Sequence, residues 1–200
     1  MKKGCLIWII VGVVVGLFVF GIISWGVKAY NNMVSRQEGV TSQWGNVETQ
    51  YQRRADLIPN FVNTVKGAAQ FEQETLTRVI EARAKATQVT IDPTKMTAEN
   101  LQQFQATQSD LSSALSRLMV VVEKYPDIKA TQNFRDLQVE LEGTENRISV
   151  ERRKFNEVAR DFNTYIRRFP ANIIAGMYDF TARPYFDSME GADKAPEVKF

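Results

Sequence analysis

From residue 40 to residue 169, apolar side chains recur at alternating steps of three and four, the period that lines them up on one face of an α-helix. A first stripe reads Val40, Trp44, Val47, Tyr51, Ile58, Val62 and Val65, with Arg54 interrupting it, and runs on through Ala69 and Glu72 to Leu76 and Val79. A second reads Leu101, Phe104, Leu111, Leu115, Leu118 and Val122, interrupted by Gln108. A third reads Phe134, Leu137, Leu141, Ile148, Phe155, Val158, Phe162, Tyr165 and Phe169, interrupted by Thr144 and Glu151. No stretch before residue 170 alternates with period two, so the fold class is all-α. Residues 89–97 are rich in turn formers, and Thr97 is placed to cap the next helix. Pro126 and Pro170 end the second and third stripes, because the residue before a proline avoids helical angles. A short helix around residues 172–177 and an irregular aromatic segment follow.

Pro59 leaves two architectures open. A kink there gives three long antiparallel helices. A reversal near residues 55–59, with Asp56 as cap and the proline in the first turn of a new helix, gives an up-down four-helix bundle. The reversal is the favoured arrangement. A helix running straight on would leave the face carrying Val40, Trp44, Val47 and Tyr51 bare unless other subunits covered it, and the protein would be an obligate oligomer.

Residues 6–27 carry no charge and, as a helix, would span roughly 33 Å, enough for a hydrocarbon core of about 30 Å. Trp8 stands at one end, and Trp25 and Tyr30 at the other, where aromatic belts belong. The run is too long for a cleavable signal peptide and is followed by no small-residue cleavage site. It predicts an uncleaved single-pass anchor. Lys2 and Lys3 both lie within five residues of one end, whereas the other flank holds Lys28 and, further off, Arg36, so the positive-inside bias favours a cytoplasmic N-terminus and an exported body. Gly12 and Gly16 form a GxxxG motif, which lets two helix backbones approach closely; the competing explanation is that glycine is simply common in such helices. Cys5, at the membrane edge, is a candidate for acylation or an ordinary small apolar residue. The expected organisation is a short flank at 1–5, a transmembrane helix at 6–27, a helical bundle at 28–170, a short helix and aromatic segment at 171–190, and a tail at 191–200.

Composition excludes much chemistry. The chain holds no histidine and one cysteine, which removes His-based triads, His-ligated metals, intrachain disulfides and cysteine-cluster zinc sites. Lys and Arg number 25 against 23 Asp and Glu, and Lys2 and Lys3 supply the whole excess, so the body is neutral and nucleic acid is not an expected partner. No phosphate loop, nucleophile elbow or metal-ligand run is present. Glu140, Glu142, Glu145 and Glu151 interleave with Arg147, Arg152 and Arg153 at ion-pair spacings, which accounts for them without catalysis. No catalytic residue, cofactor, metal or small-molecule substrate is expected.

The remaining candidates concern packing and docking. Arg54 sits where the core should be, and Glu145 flanks the facing stripe, so the two predict a partly buried ion pair. The alternative makes Arg53, Arg54, Asp56 and Asn60 a docking surface at one end of the bundle, beside Tyr125 and Asp127. Asn156 and Asn163 lie two turns apart on one helix face, suited to hydrogen bonds that fix register between helices or subunits, or simply to a solvated flank. Met177, Tyr178, Phe180, Tyr185 and Phe186 either pack over one end of the bundle or lie in the membrane interface with Trp8, Trp25 and Tyr30.

The runs Arg53-Arg54-Ala55-Asp56-Leu57-Ile58-Pro59-Asn60-Phe61-Val62, Tyr125-Pro126-Asp127-Ile128-Lys129-Ala130 and Thr144-Glu145-Asn146-Arg147-Ile148 resemble the LemA family of bacterial membrane-anchored helical proteins. So do Phe169-Pro170 with Ile174-Ala175, and the closing Pro196, Val198 and Phe200. The resemblance extends over residues 6–200. Phe155 and Phe162 stand where the family usually has tyrosine, and Phe61 where it has leucine. The resemblance implies one N-terminal transmembrane helix, a helical-bundle body, a bacterial membrane location and no enzymatic activity. It further implies a scaffold or accessory role in membrane organisation; the expected function is homo-oligomeric assembly or scaffolding by the helical body at the membrane, or alternatively that of an accessory subunit of a membrane protease or signalling complex.

Overall fold

A computed structural model describes residues 3–67 and 72–187, with side chains from Trp8 onward. Cys5, Ala69 and the expected tail at 191–200 therefore lie outside the described residues or side chains. Helix α1 runs over Lys3–Lys66, α2 over Gln73–Gln88, α3 over Ala98–Val122, α4 over Pro126–Lys129, α5 over Gln132–Arg167 and α6 over Ala171–Met177. Among the described residues there is no strand. Thr97 caps α3 through a reciprocal pair of bonds with Asn100, at 3.2 and 2.9 Å.

The expected reversal at Pro59 does not occur, because α1 continues through the proline to Lys66. Proline has no backbone N–H, so the carbonyl of Ala55, four residues earlier, loses its helical donor. Ala55 is buried, and an unpaired carbonyl there would cost about 1–3 kcal/mol. Arg83 of α2 supplies the missing donor, its Nε lying 2.7 Å from the Ala55 oxygen. The helix passes through the proline because a neighbouring helix bonds the orphaned carbonyl.

The chain forms two compact units. Residues 41–157 with the segment from 184 make one of them. Its core joins Ile58, Phe61, Val62 and Val65 of α1, Leu76 and Val79 of α2, Leu111, Leu115 and Leu118 of α3, and Ile128 and Phe134 beyond. The second expectation attached to α1 also needs correcting. Trp44, Val47 and Tyr51 are buried inside their own chain, so on an unbroken α1 this stripe is covered without other subunits. Trp44 meets Phe104 of α3 and Phe155 of α5 edge-on, with ring centroids 5.4 and 5.8 Å apart, and stacks on Phe186 at 5.9 Å.

Residues 1–40 and 158–183 make the other unit. Ala29, Met33 and Val40 of α1 are buried there, as are Phe162 and Ile166 of α5 and Ala171 and Ala175 of α6. Tyr30 lies 4.8 Å from Tyr178 and 5.7 Å from Phe180, and the Arg36 guanidinium sits 4.8 Å over the Tyr165 ring. Residues 8–24 are exposed throughout. Phe169 leaves the third stripe: α5 ends at Arg167, and Phe169 on the following turn is 81% exposed.

Replacing Arg83 by Met should destabilise the full-length protein by about 1–3 kcal/mol in denaturant unfolding, because the Ala55 carbonyl loses its only donor of this kind. In a Pro59→Ala background, where residue 59 regains an N–H, the same replacement should cost measurably less. Equal costs in both backgrounds would contradict this account of Pro59.

Candidate functional site

Arg54, Gln108 and Thr144 each interrupt one of the three apolar stripes, and all three are buried. Arg54 and Gln108 meet directly. The Arg54 guanidinium is 1% exposed and donates through Nη1 to Glu145 Oε1 at 2.6 Å and to Ser112 Oγ at 2.8 Å. Through Nη2 it donates to the Gln108 side-chain oxygen and to the Gln108 carbonyl, the latter at 3.3 Å. Gln108 in turn donates to the Ala86 carbonyl near the end of α2, at 3.2 Å. That carbonyl is one of the four that α2 cannot satisfy itself. One buried cation thus links α1, α3 and α5, and Gln108 extends the network to α2. Glu145 is 35% exposed, so the ion pair has a dry end and a wet end. Thr144, beside it, returns its hydroxyl to the Glu140 carbonyl at 2.8 Å.

Tyr51 lies under the guanidinium, 5.2 Å from its carbon. Burial pushes the Tyr51 phenol above its ordinary value of 10.0, an effect partly offset by the charges of Arg152 and Arg54. Over this layer opens a groove of about 960 Å³, edged by Gln102, Gln105, Ser109, Gln138, Asn146 and Ser149. It offers amides and hydroxyls together with the charges of Asp110, Glu142, Arg152 and Asp187, and its buried cation Arg54 is paired with Glu145. Nearby, Glu151 accepts from Lys154 at 2.8 Å and from Gln43 at 2.7 Å, and these bonds hold its carboxyl below the ordinary 4.5. Among the described residues no group of three His, Cys, Asp or Glu is placed to hold a metal.

Within the chain, the two asparagines bond an extended segment instead of a neighbouring helix. Asn156 donates to the Phe186 carbonyl at 2.9 Å and accepts from the Phe186 N–H at 2.8 Å. Asn163 forms the same pair with Arg183, at 2.8 and 2.7 Å. Each carboxamide takes the place of a neighbouring strand's peptide group. Seven helical residues rise about 10.5 Å and three extended residues reach about 10 Å, so the spacing of 156 and 163 suits that of 186 and 183. Phe186 is consequently buried at 4% exposure, with the Arg152 guanidinium 4.7 Å over its ring. This removes Phe186 from the expected membrane-interface aromatics, since its ring is committed to Trp44 and Phe155.

The other expected residues divide by exposure. Arg53, Asp56 and Asn60 are exposed on α1, where Asp56 accepts from Gln52 at 2.8 Å. Asp127 is exposed and Tyr125 half-buried at α4, whose Ile128 joins the core of Ile58 and Phe61. Arg54 and Glu145 thus belong to a buried network that Arg53, Asp56 and Asn60 do not enter. Gly12 and Gly16 have open space on all sides, and Trp8, Trp25, Tyr30, Tyr178 and Tyr185 are exposed. The sequence reading missed Gln108, Ser112 and Arg83, and Arg152, expected to pair along its own helix, donates instead to Gln105 at 3.0 Å and to the Asp187 carbonyl at 2.9 Å. Gln108 alone carried a signal, as the polar break in the second stripe.

Two outcomes follow. Asn156→Ala should cost about 1–3 kcal/mol by orphaning both backbone groups of Phe186. It should also shift Trp44 emission to the red, read in a chain whose Trp8 and Trp25 are replaced by Phe. Tyr51 should make stability fall from pH 10 upward: the unfolded phenol ionises near 10.0 while the folded one keeps its proton. Unfolding at pH 8 and pH 11 should show that part of the alkaline loss absent in Tyr51→Phe.

The chain matches the LemA family over residues 43–200, a span that begins inside α1 and is shorter than the 6–200 suggested by the motifs. It is 25% identical over 181 residues to magnetosome protein MamQ 2 of Paramagnetospirillum magneticum, covering 82% of this chain and 66% of that protein. Magnetosome protein MamQ of Magnetospirillum gryphiswaldense is 24% identical over 181 residues, with the same coverage. Protein LemA of Metamycoplasma hominis is 24% identical over 160 residues, covering 80% of this chain and 69% of that protein. The chain therefore spans just under two thirds of the length of these MamQ relatives. With its helical body and the match across most of its length, the chain belongs to the LemA family.

Proposed function

We propose that this is a non-enzymatic protein of the bacterial membrane that self-associates through its anchor and acts as a scaffold there. The observation that carries the proposal is α1: one helix holds both a window of mean hydropathy 2.5, exposed along its length, and the stripe at the heart of the body's core. An apolar helix face with no protein cover suits lipid. Similarity to proteins named for the magnetosome supports a role at membranes. The body's stripe is satisfied within its own chain, so association falls to the anchor, where Gly12 and Gly16 leave room for close helix–helix approach. The N-terminus faces the cytoplasm in this proposal, on the strength of Lys2 and Lys3.

An accessory or adaptor role is the second reading, favoured by the exposure of Arg53, Asp56 and Asn60 beside a buried network that does not use them.

Light scattering of the full-length protein in mild detergent, corrected for detergent, should give a multiple of 22.8 kDa. Gly12→Ile with Gly16→Ile should reduce it to a single chain. A wild-type monomer would overturn the scaffold and leave the adaptor, for which Arg53→Ala with Asn60→Ala should abolish co-purification of a partner while leaving helicity intact.

A further inference from the structure

Ten consecutive residues, 169–178, carry no charge, yet the structure leaves much of this segment bare. Phe169 is 81% exposed, Ile173 54%, Met177 69% and Tyr178 58%. In α6 the buried residues are Ala171 and Ala175, one turn apart, which turns Ile173 and Met177 outward. The helix presents small side chains to its own unit and large apolar ones to its surroundings. A water-facing helix would have the opposite arrangement.

The position of α6 identifies what those surroundings are. A Cβ placed on Gly26 would lie 3.8 Å from Ile174 Cδ1, so α6 rests on α1 at Gly26. Tyr178 packs on Tyr30, one turn further along α1. Gly26 is the penultimate residue of the charge-free run, next to Trp25, which is 39% exposed. If residues 6–27 cross the bilayer, Gly26 lies at its boundary, and a helix in contact with Gly26 lies there too. Lys28 on α1, and Arg167 and Arg168 just before Phe169, are exposed and supply positive charge of the kind that phospholipid headgroups attract.

We infer that the outward face of α6, with Phe169 before it and Tyr178 after it, is a second membrane contact that lies within the headgroup region without spanning it. The inference rests on the anchor reading above. It assigns Phe169, Ile173 and Met177 a lipid partner and gives the protein a membrane-surface footprint beyond its spanning helix. Tyr178 lies within this footprint, whereas Phe186 is excluded from it.

The test uses the full-length chain with Cys5→Ser, carrying one new cysteine at a time and labelled with an environment-sensitive nitrobenzoxadiazole dye. The sites are Ile173→Cys, Met177→Cys, Phe18→Cys within the anchor and Ser113→Cys on the exposed side of α3. Each is placed in nanodiscs of phosphatidylcholine and phosphatidylglycerol carrying a spin label at lipid carbon 5 or carbon 12. Labels at 173 and 177 should be quenched about twofold by the shallow spin label and less by the deep one, with 113 unaffected. The label at 18 should respond most to the deep spin label. Labels at 173 and 177 that ignore both lipids while 18 responds would overturn the inference and leave the anchor standing. Iodide would then distinguish a water-exposed face from one covered by protein. A label at 18 that also ignores both lipids would overturn the anchor itself, and this inference with it.

Discussion

A guanidinium buried to 1% exposure must be neutralised and hydrogen-bonded where it lies, because an unpaired charge in that position would cost several kcal/mol. Arg54 meets that demand at Nη1 and Nη2 with groups that only an assembled bundle can bring together: Glu145 from α5, and Ser112 and the side chain and carbonyl of Gln108 from α3, while its buried Nε has no hydrogen-bond partner among the described residues. Apolar stripes alone tolerate sliding by a turn, since one branched aliphatic residue packs much like the next. A cation needing these partners does not. The layer therefore fixes the register of the three long helices, and Gln108 carries the same constraint to the end of α2.

The same rule, that buried polar groups find partners, operates at two other places. At Pro59 it requires a donor for the Ala55 carbonyl, and Arg83 provides one, so α1 stays intact through a residue that normally ends helices. At the far end of the chain it requires partners for the extended backbone of Arg183 and Phe186, and two asparagine carboxamides provide them. Both devices use long-range side-chain bonds where local backbone bonds are unavailable.

Much of this was legible in the sequence, for identifiable reasons. The period of three and four gave the helices, and Val40, Trp44, Val47, Tyr51, Leu101, Phe104 and Phe155 are all buried as their stripes require. Arg54 and Glu145 stood out as a charge on an apolar face and an acid beside the facing one. What misled was local reasoning about a distant partner. Proline is a strong local signal, and nothing near residue 59 announces that Arg83 will bond the freed carbonyl. The cover over Trp44 was invisible for a related reason, since Phe186 reaches it only through an irregular segment whose path is set by Asn156 and has no period to read.

The body covers its first stripe and neutralises its buried charge from its own residues, and for that reason the scaffold proposed above places association in the apolar run of α1. Analytical ultracentrifugation of residues 28–200, without the apolar run, tests this most directly. The account predicts a single folded chain at every concentration examined. A discrete dimer or larger species formed by this body would contradict it, and would return the site of assembly to the bundle.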